Sequence, residues 1–351
     1  MSKLRLSIKK IFSNSYAIFI AKKAGFYLIV IFIALTFSFF IPRMMAGNPV
    51  DLLLRPSPNA AQTDQSWQDW NRTKHIMLEY FGLNKSLSDQ YIEFWVNMFQ
   101  FDLGTSYSSF PKPVSELIVP PLIFSFILVV PVLFVSFFIG NFLGARAAYL
   151  KGRLNDIVYY LLVFLQSAPF YWLALILLSI FVFQLHWFPK PDPGGVTPEI
   201  VDVTSMRYFL DLLAHYILPF LVLVVTFTGG WATGMRAMTL YEMESEYILY
   251  AEQLGFRSKT LRSYVQRNAI LPQFTGLNLR LNELIGATLI MEYIFEWPGI
   301  GSFFLTAVIM RDYPLVIATT IVTLVVVVIG NFLVDITYGF VDPRIRAGYG
   351  G

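Results

Sequence analysis

The chain has 351 residues, of which 56% are hydrophobic and only 14% charged, with a mean hydropathy of +0.58 and a net charge of +3. Soluble domains carry about 25% charged residues, so this composition excludes a disordered chain and most soluble enzymes. With no cysteine there are no disulfide frameworks, thiolate metal sites or cysteine nucleophiles, and His75, His186 and His215 are too scattered for a His-rich metal site.

A spanning helix needs about 20 mostly apolar residues. Stretches free of Asp, Glu, Lys and Arg run over 24–41, 117–145, 157–189, 212–235 and 313–334. A sixth, 271–295, is apolar overall but carries Arg280, Glu283 and Glu292. The expectation is an all-α polytopic membrane protein with about six transmembrane helices. Its boundaries read as an N-terminal segment 1–23, a first helix 24–44, an outer cap 45–116, a five-helix core 117–341 and a tail 342–351. Prolines at 120, 121, 131, 169 and 219 are tolerated in membrane helices as kinks or ends, and Pro120 with Pro121 reads as a helix end.

An even number of spans puts both termini on one side, and the basic residues mark it as cytoplasmic. The N-terminus carries Lys3, Arg5, Lys9, Lys10, Lys22 and Lys23, and the loop after span two carries Arg146, Lys151 and Arg153. The loop after span four adds Arg236, Arg257, Lys259, Arg262 and Arg267. The first span has a basic flank like a signal peptide, but no small-residue cleavage site follows, so it stays as an anchor. Residues 4–20 suit either an interfacial helix or a loose tail. Trp67, Trp70, Trp95 and a helical run over 90–101 predict a folded extracytoplasmic cap, whereas the prolines and glycines of 187–208 read as loop. Trp172, Trp187, His186 and His215 read as membrane-interface residues.

The cytoplasmic loop 240–271 is the most informative stretch. Tyr247, Ala251 and Leu254 recur at helical spacing, Gly255 interrupts, and Leu261, Tyr264, Val265 and Asn268 then share a second helical face. Lys259, Arg262 and Arg267 project away from that face. Two short helices bent at a glycine suit insertion into a partner's groove, although the spacing alone also fits an ordinary interfacial loop.

The succession Glu246-Tyr247-Ile248, Ala251, Gln253-Leu254-Gly255 and Arg267-Asn268-Ala269-Ile270-Leu271-Pro272 resembles the EAA loop of ABC importer permeases. Further stretches are similar to the B-type subunit of the dipeptide/oligopeptide (peptide/nickel/oligosaccharide) permease family. They include Gly47-Asn48-Pro49-Val50, Phe101-Asp102-Leu103-Gly104, Pro169-Phe170-Tyr171-Trp172-Leu173, Trp297-Pro298-Gly299-Ile300-Gly301, Arg311-Asp312-Tyr313-Pro314 and Asn331-Phe332-Leu333-Val334-Asp335. The resemblance covers nearly the whole chain after about residue 24.

It implies a type I ABC importer permease-like fold in a cell (inner) membrane, importing di- or oligopeptides. The implied partners are a second homologous permease subunit, two ABC ATPases, an extracytoplasmic substrate-binding protein and membrane lipid, with no nucleic acid. Glu246, Tyr247, Ala251, Leu254, Gly255, Arg267, Asn268 and Pro272 would couple to the ATPase. Trp297, Pro298, Gly299 and Gly301 would shape an outer gate turn.

Departures from the family pattern lie at Tyr250, at Glu252, in some twenty extra N-terminal residues and in span five. Asn278, Arg280, Asn282 and Glu283 stand there where relatives are mainly apolar. Ionisable groups at membrane depth mark pathways by default, but Arg280 and Glu283 at i and i+3 also suit mutual neutralisation. No Gly-x-x-x-x-Gly-Lys-Ser/Thr stretch is present, so ATP and magnesium belong to partner ATPases, and no cofactor is expected on this chain. Alternatives are an oligosaccharide cargo, an ion-coupled secondary transporter using Arg280, Glu283 and Glu292, and an intramembrane enzyme, the last without a convincing catalytic constellation.

Overall fold

A computed structural model describes residues 14–44, 47–54, 64–149, 152–192 and 202–341. Among these the secondary structure is helical, with one isolated bridge between Thr105 and Pro113. In chain order the helices are α1 (Asn14–Arg43), α2 (Pro49–Leu53), α3 (Asp64–Tyr80), α4 (Leu87–Phe99), α5 (Val114–Tyr149), α6 (Arg153–Ser167) and α7 (Phe170–Leu178). A π-helical turn over Ser179–Gln184 continues α7. There follow α8 (Met206–Met243), α9 (Glu246–Gln253), α10 (Ser258–Ala269), α11 (Leu271–Thr275), α12 (Leu277–Ile294), α13 (Ile300–Ile309) and α14 (Tyr313–Val341).

Four of the described helices, α1, α5, α8 and α14, are long and apolar enough to cross a membrane, and a fifth span results if α6 and α7 count together. The predicted third span is not straight. It breaks at Ala168-Pro169 and turns through 102°, because proline bars the α conformation to the residue before it. The predicted fifth span is α12, an 18-residue helix holding three charged residues. Pro120 and Pro121 do not end a helix, contrary to expectation, but lie inside α5. Their lost N–H donors leave only two carbonyls of the first turn without a helical partner.

Helix α1 runs from Asn14, so residues 14–23 are helical and continuous with the first span, whose apolar spanning part begins at Ala21. Residues 1–13 and the tail 342–351 lie outside the described residues. Along α1, α5 and α6, large apolar side chains such as Leu28, Phe37, Phe138 and Phe164 are exposed. Such a surface is a liability in water and the natural face of a helix against lipid.

The chain divides into two compact units, one of Met1–Leu28, Phe124–Pro298 and Val326–Gly351, the other of Ile29–Ile123 and Gly299–Val325. The core of the first unit joins Leu128 and Val132 of α5, Leu178 of α7, Val222 and Leu223 of α8, Leu284 and Met291 of α12, and Trp297. The pair Gly140 and Gly144 brings α5 against α8 backbone to backbone, since a Cβ at Gly144 would collide with the carbonyl oxygen of Ala232. Small residues four apart permit this approach where lipid gives no hydrophobic drive between helices.

In the second unit the described residues of the region 45–116 include α2, α3 and α4. Ser86 caps α4 by accepting from the Asp89 N–H, and the helix begins at Leu87 and ends at Phe99, close to the predicted run. Asp312 is fully buried there. Its Oδ2 accepts from Ser106 Oγ at 2.6 Å and from both the N–H and Oγ of Ser108 at 2.8 Å. Its Oδ1 accepts from the Leu315 N–H and so caps the first turn of α14.

Candidate functional site

Helix α8 runs past the predicted end of span four to Met243 and turns directly into the loop. Ser245 stands in extended conformation ahead of α9, its hydroxyl donating to the Glu242 carbonyl at 2.6 Å. Glu246 follows in the first turn, where the helix dipole favours an acid. The end of α9 is a double-bonded stop: the Gly255 N–H donates to Glu252 O at 2.9 Å and the Phe256 N–H to Ala251 O at 3.2 Å. That pattern requires a left-handed residue, and Gly255 has φ +77°. A Cβ there would meet nothing within 4 Å, so backbone angle and not space demands glycine.

Helix α10 then packs on α8 through Val265 and Ala269, the latter beside Ala145 and Met235. As expected, Lys259, Arg262 and Arg267 are exposed, and Leu261 and Asn268 share the inward face with Val265, whereas Tyr264, expected on that face, is exposed. On α9 the expected face is displaced. Ile248 is the buried residue and Ala251 lies at its edge, whereas Tyr247 is 41% and Leu254 59% exposed. With Leu249, Tyr250 and Phe256 they leave an uncovered apolar surface around the bend.

Tyr247 and Asn268 meet across the hairpin. Asn268 Nδ2 donates to the Tyr247 hydroxyl at 2.7 Å, and that hydroxyl donates to Glu242 Oε2. Burial, together with the bond to the Glu242 carboxylate, pushes the Tyr247 hydroxyl above its usual range. Glu242 is a residue that periodicity missed, because it belongs to α8 and shares no face with α9. Arg267 and Pro272 remain exposed, Pro272 opening α11 beyond the hairpin.

The four polar residues of span five do not converge. Asn278 Nδ2 donates to Asp335 Oδ1 of α14 at 2.8 Å, and Asn282 Oδ1 accepts from Asn331 of α14 at 3.1 Å. Arg280 turns elsewhere, with Nη1 2.8 Å from Glu283 Oε2 and its guanidinium 5.9 Å from the Trp231 ring. Asp335 also takes Lys23 Nζ at 2.8 Å and the Tyr27 hydroxyl at 3.0 Å, so one carboxylate joins α1, α12 and α14. Glu292 is fully buried and accepts from Ser125 Oγ at 2.6 Å.

Trp297 is a core residue, its Nε1 donating to Phe124 O at 3.1 Å and its ring packed edge-on against Phe124. The left-handed residue of that turn is Glu296, φ +50°, while Pro298 follows Trp297, Gly299 precedes α13 in extended conformation and Gly301 lies buried in its first turn. His215 is buried, with Nδ1 at the Asp211 carbonyl and Nε2 at the Lys190 carbonyl.

The family described as binding-protein-dependent transport system inner membrane component matches residues 140–347, from within α5 to beyond α14. The chain belongs to this family. The matched region contains the α9–α10 hairpin and excludes the cap, yet full-length relatives extend across both. The oligopeptide transport system permease protein AppB of Bacillus subtilis is 33% identical over 88% of this chain and 93% of its own. The di/tripeptide transport system permease protein DppB of Pseudomonas aeruginosa is 28% identical over 93% and 98%. The metal-staphylopine import system permease protein CntB of Staphylococcus aureus is 26% identical over 94% and 98%. As an inner membrane component of such a system the chain is a multi-pass transport subunit, which accounts for its apolar exposed helices.

Proposed function

We propose that this permease subunit imports peptides, and that the exposed hairpin α9–Gly255–α10 is where partner ATPases drive it. The observation that carries this reading is the uncovered apolar surface around Gly255, on a hairpin joined rigidly to α8 and α12 by short connections. Tyr250, 64% exposed, and Leu254 supply the surface a partner's groove would bury. ATP and magnesium sit on the partner, and their cycle moves α9 and α10 as a unit, carrying the spans on either side. A ligand is moved uphill because the ATPase biases the populations of two conformations that differ in affinity for it.

A second homologous permease completes the pathway, and an extracytoplasmic binding protein delivers the cargo, with both termini of this chain cytoplasmic. Arg280 and Glu283 line the pathway. Glu283 is 57% exposed at its side chain on a stripe of α12, shared with Leu279, Asn282, Ile290 and Tyr293, that the described residues leave uncovered, and a carboxylate there is stable only beside water or a partner. Asn278 and Asn282 instead hold α12 to α14. Because Arg280 neutralises Glu283 and Ser125 holds Glu292, the ion-coupled reading has no free acid to work with in span five. The turn of Trp297, Pro298, Gly299 and Gly301 shapes the outer gate.

The decisive experiment reconstitutes the complete complex in vesicles and supplies ATP inside the lumen that faces the hairpin. Uptake of labelled peptides that requires ATP and the binding protein is expected. Uptake by this chain alone, driven by a proton or sodium gradient, would refute the reading.

A further inference from the structure

A second site lies on the first unit, away from the bend of the hairpin. Between the end of α5, the α8 residue Met235 and helix α10 is an open cleft of about 560 Å³. Arg146, Arg262 and Arg267 line it, and no Asp or Glu does. Among the described residues none of the three has a carboxylate within ion-pair distance. Arg146 Nε donates to the neutral Asn155 Oδ1 at 3.0 Å, and the Arg262 guanidinium lies 5.3 Å from the Tyr149 ring centre. Three cations converging without a counter-ion is an unfavourable arrangement that an anion relieves.

One wall of the cleft is apolar: Phe142, 64% exposed, with Ala145, Met235 and Ile270. Asn141 also lines the cleft; it is 6% exposed and its Oδ1 has no hydrogen-bond partner among the described residues. The depth is set by the sequence. Arg146 is the first charge after the charge-free run 117–145, and Met235 ends the run 212–235. The cleft therefore lies where apolar spans give way to water, at the level of lipid headgroups.

We propose that this cleft binds an anionic phospholipid, with Arg146 and Arg262 on its phosphate and Phe142, Met235 and Ile270 along the start of an acyl chain. Guanidinium forks match phosphate oxygens in pairs, and basic pockets between spanning helices at the cytoplasmic face suit such headgroups. Free phosphate shares the headgroup chemistry but gains nothing from the apolar wall.

The test uses the purified full chain, stripped of lipid in detergent and titrated by native mass spectrometry. The probes are phosphatidylglycerol, phosphatidylcholine of the same acyl length, and inorganic phosphate. Phosphatidylglycerol is expected to bind preferentially. Arg146→Gln with Arg262→Gln should weaken it about thirtyfold, two surface arginines being removed. The single Arg146→Gln change should weaken it about fivefold, so that the series stands if the double variant misfolds. Lys259→Gln, on α10 but outside the cleft, should leave it unchanged. Equal binding of both lipids, or phosphatidylglycerol binding indifferent to both arginine variants, overturns the proposal. Phosphate that displaces the lipid at equal concentration overturns it too, since the site would then read the anion alone.

Discussion

Asn268 on α10 reaches across the hairpin to the Tyr247 hydroxyl of α9 at 2.7 Å, and Tyr247 passes the contact on to Glu242 of α8. Three helices are thereby tied at one phenol. Tyr247→Phe removes both bonds and leaves Asn268 and Glu242 to water, a loss of about 1 kcal/mol at this half-exposed position. The variant is expected to insert and assemble normally but to show reduced stimulation of ATP hydrolysis by loaded binding protein. Unaltered stimulation would show that the tie does not transmit motion.

The same phenol has a pH signature. Its folded pKa lies above the ordinary value of 10.0, so its contribution is fully present below pH 10 and is lost as pH rises through the higher folded value. Thermal melting from neutral pH to 11 should show an alkaline decline that is smaller in Tyr247→Phe than in the parent chain.

At Gly255 the backbone is left-handed and the space around it open. Gly255→Asn should therefore be tolerated, while Gly255→Val should cost about 1–2 kcal/mol by strain in the left-handed region. Comparing melting temperature and coupled ATPase activity of the two checks this. If both behave alike, crowding rather than backbone angle governs the position.

The Arg280–Glu283 pair separates two roles. Removing Glu283 by substitution with Ala should impair transport more than assembly, measured by uptake against co-purification of the partner subunits. A purely structural pair would instead have Arg280→Ala/Glu283→Ala assemble better than either single change and transport normally.

Asp335 receives Lys23, Tyr27 and Asn278. Asp335→Ala leaves all three without their acceptor, and a loss of about 1–2 kcal/mol is expected, reduced because Lys23 is 37% exposed at its side chain. Melting in lipid nanodiscs measures it. In the second unit, buried Asp312→Ala abandons four donors and should cost more, about 3 kcal/mol, with Ser106→Ala milder because Ser108 remains.

Much of the architecture was legible because it depends on one-dimensional properties. Charge-free runs locate the apolar helices, and two periodic stretches around Gly255 locate the hairpin, since only glycine takes a left-handed stop at no cost. The break at Pro169 was hidden because charge-free composition continues through it, and the inward turn of Ile248 was hidden because neighbouring apolar residues on α9 offer several equally periodic faces.

By itself the amino-acid order determined that this chain lives in a membrane and where the short-helix hairpin around Gly255 lies between its apolar runs. Those conclusions rest on transfer energies and backbone preferences, which each segment carries with it. Which polar groups pair was decided only by packing. Asn278 and Arg280 stand two residues apart on α12, yet one faces Asp335 on α14 and the other turns to Glu283 on its own helix, because helical rotation sends them to different neighbours.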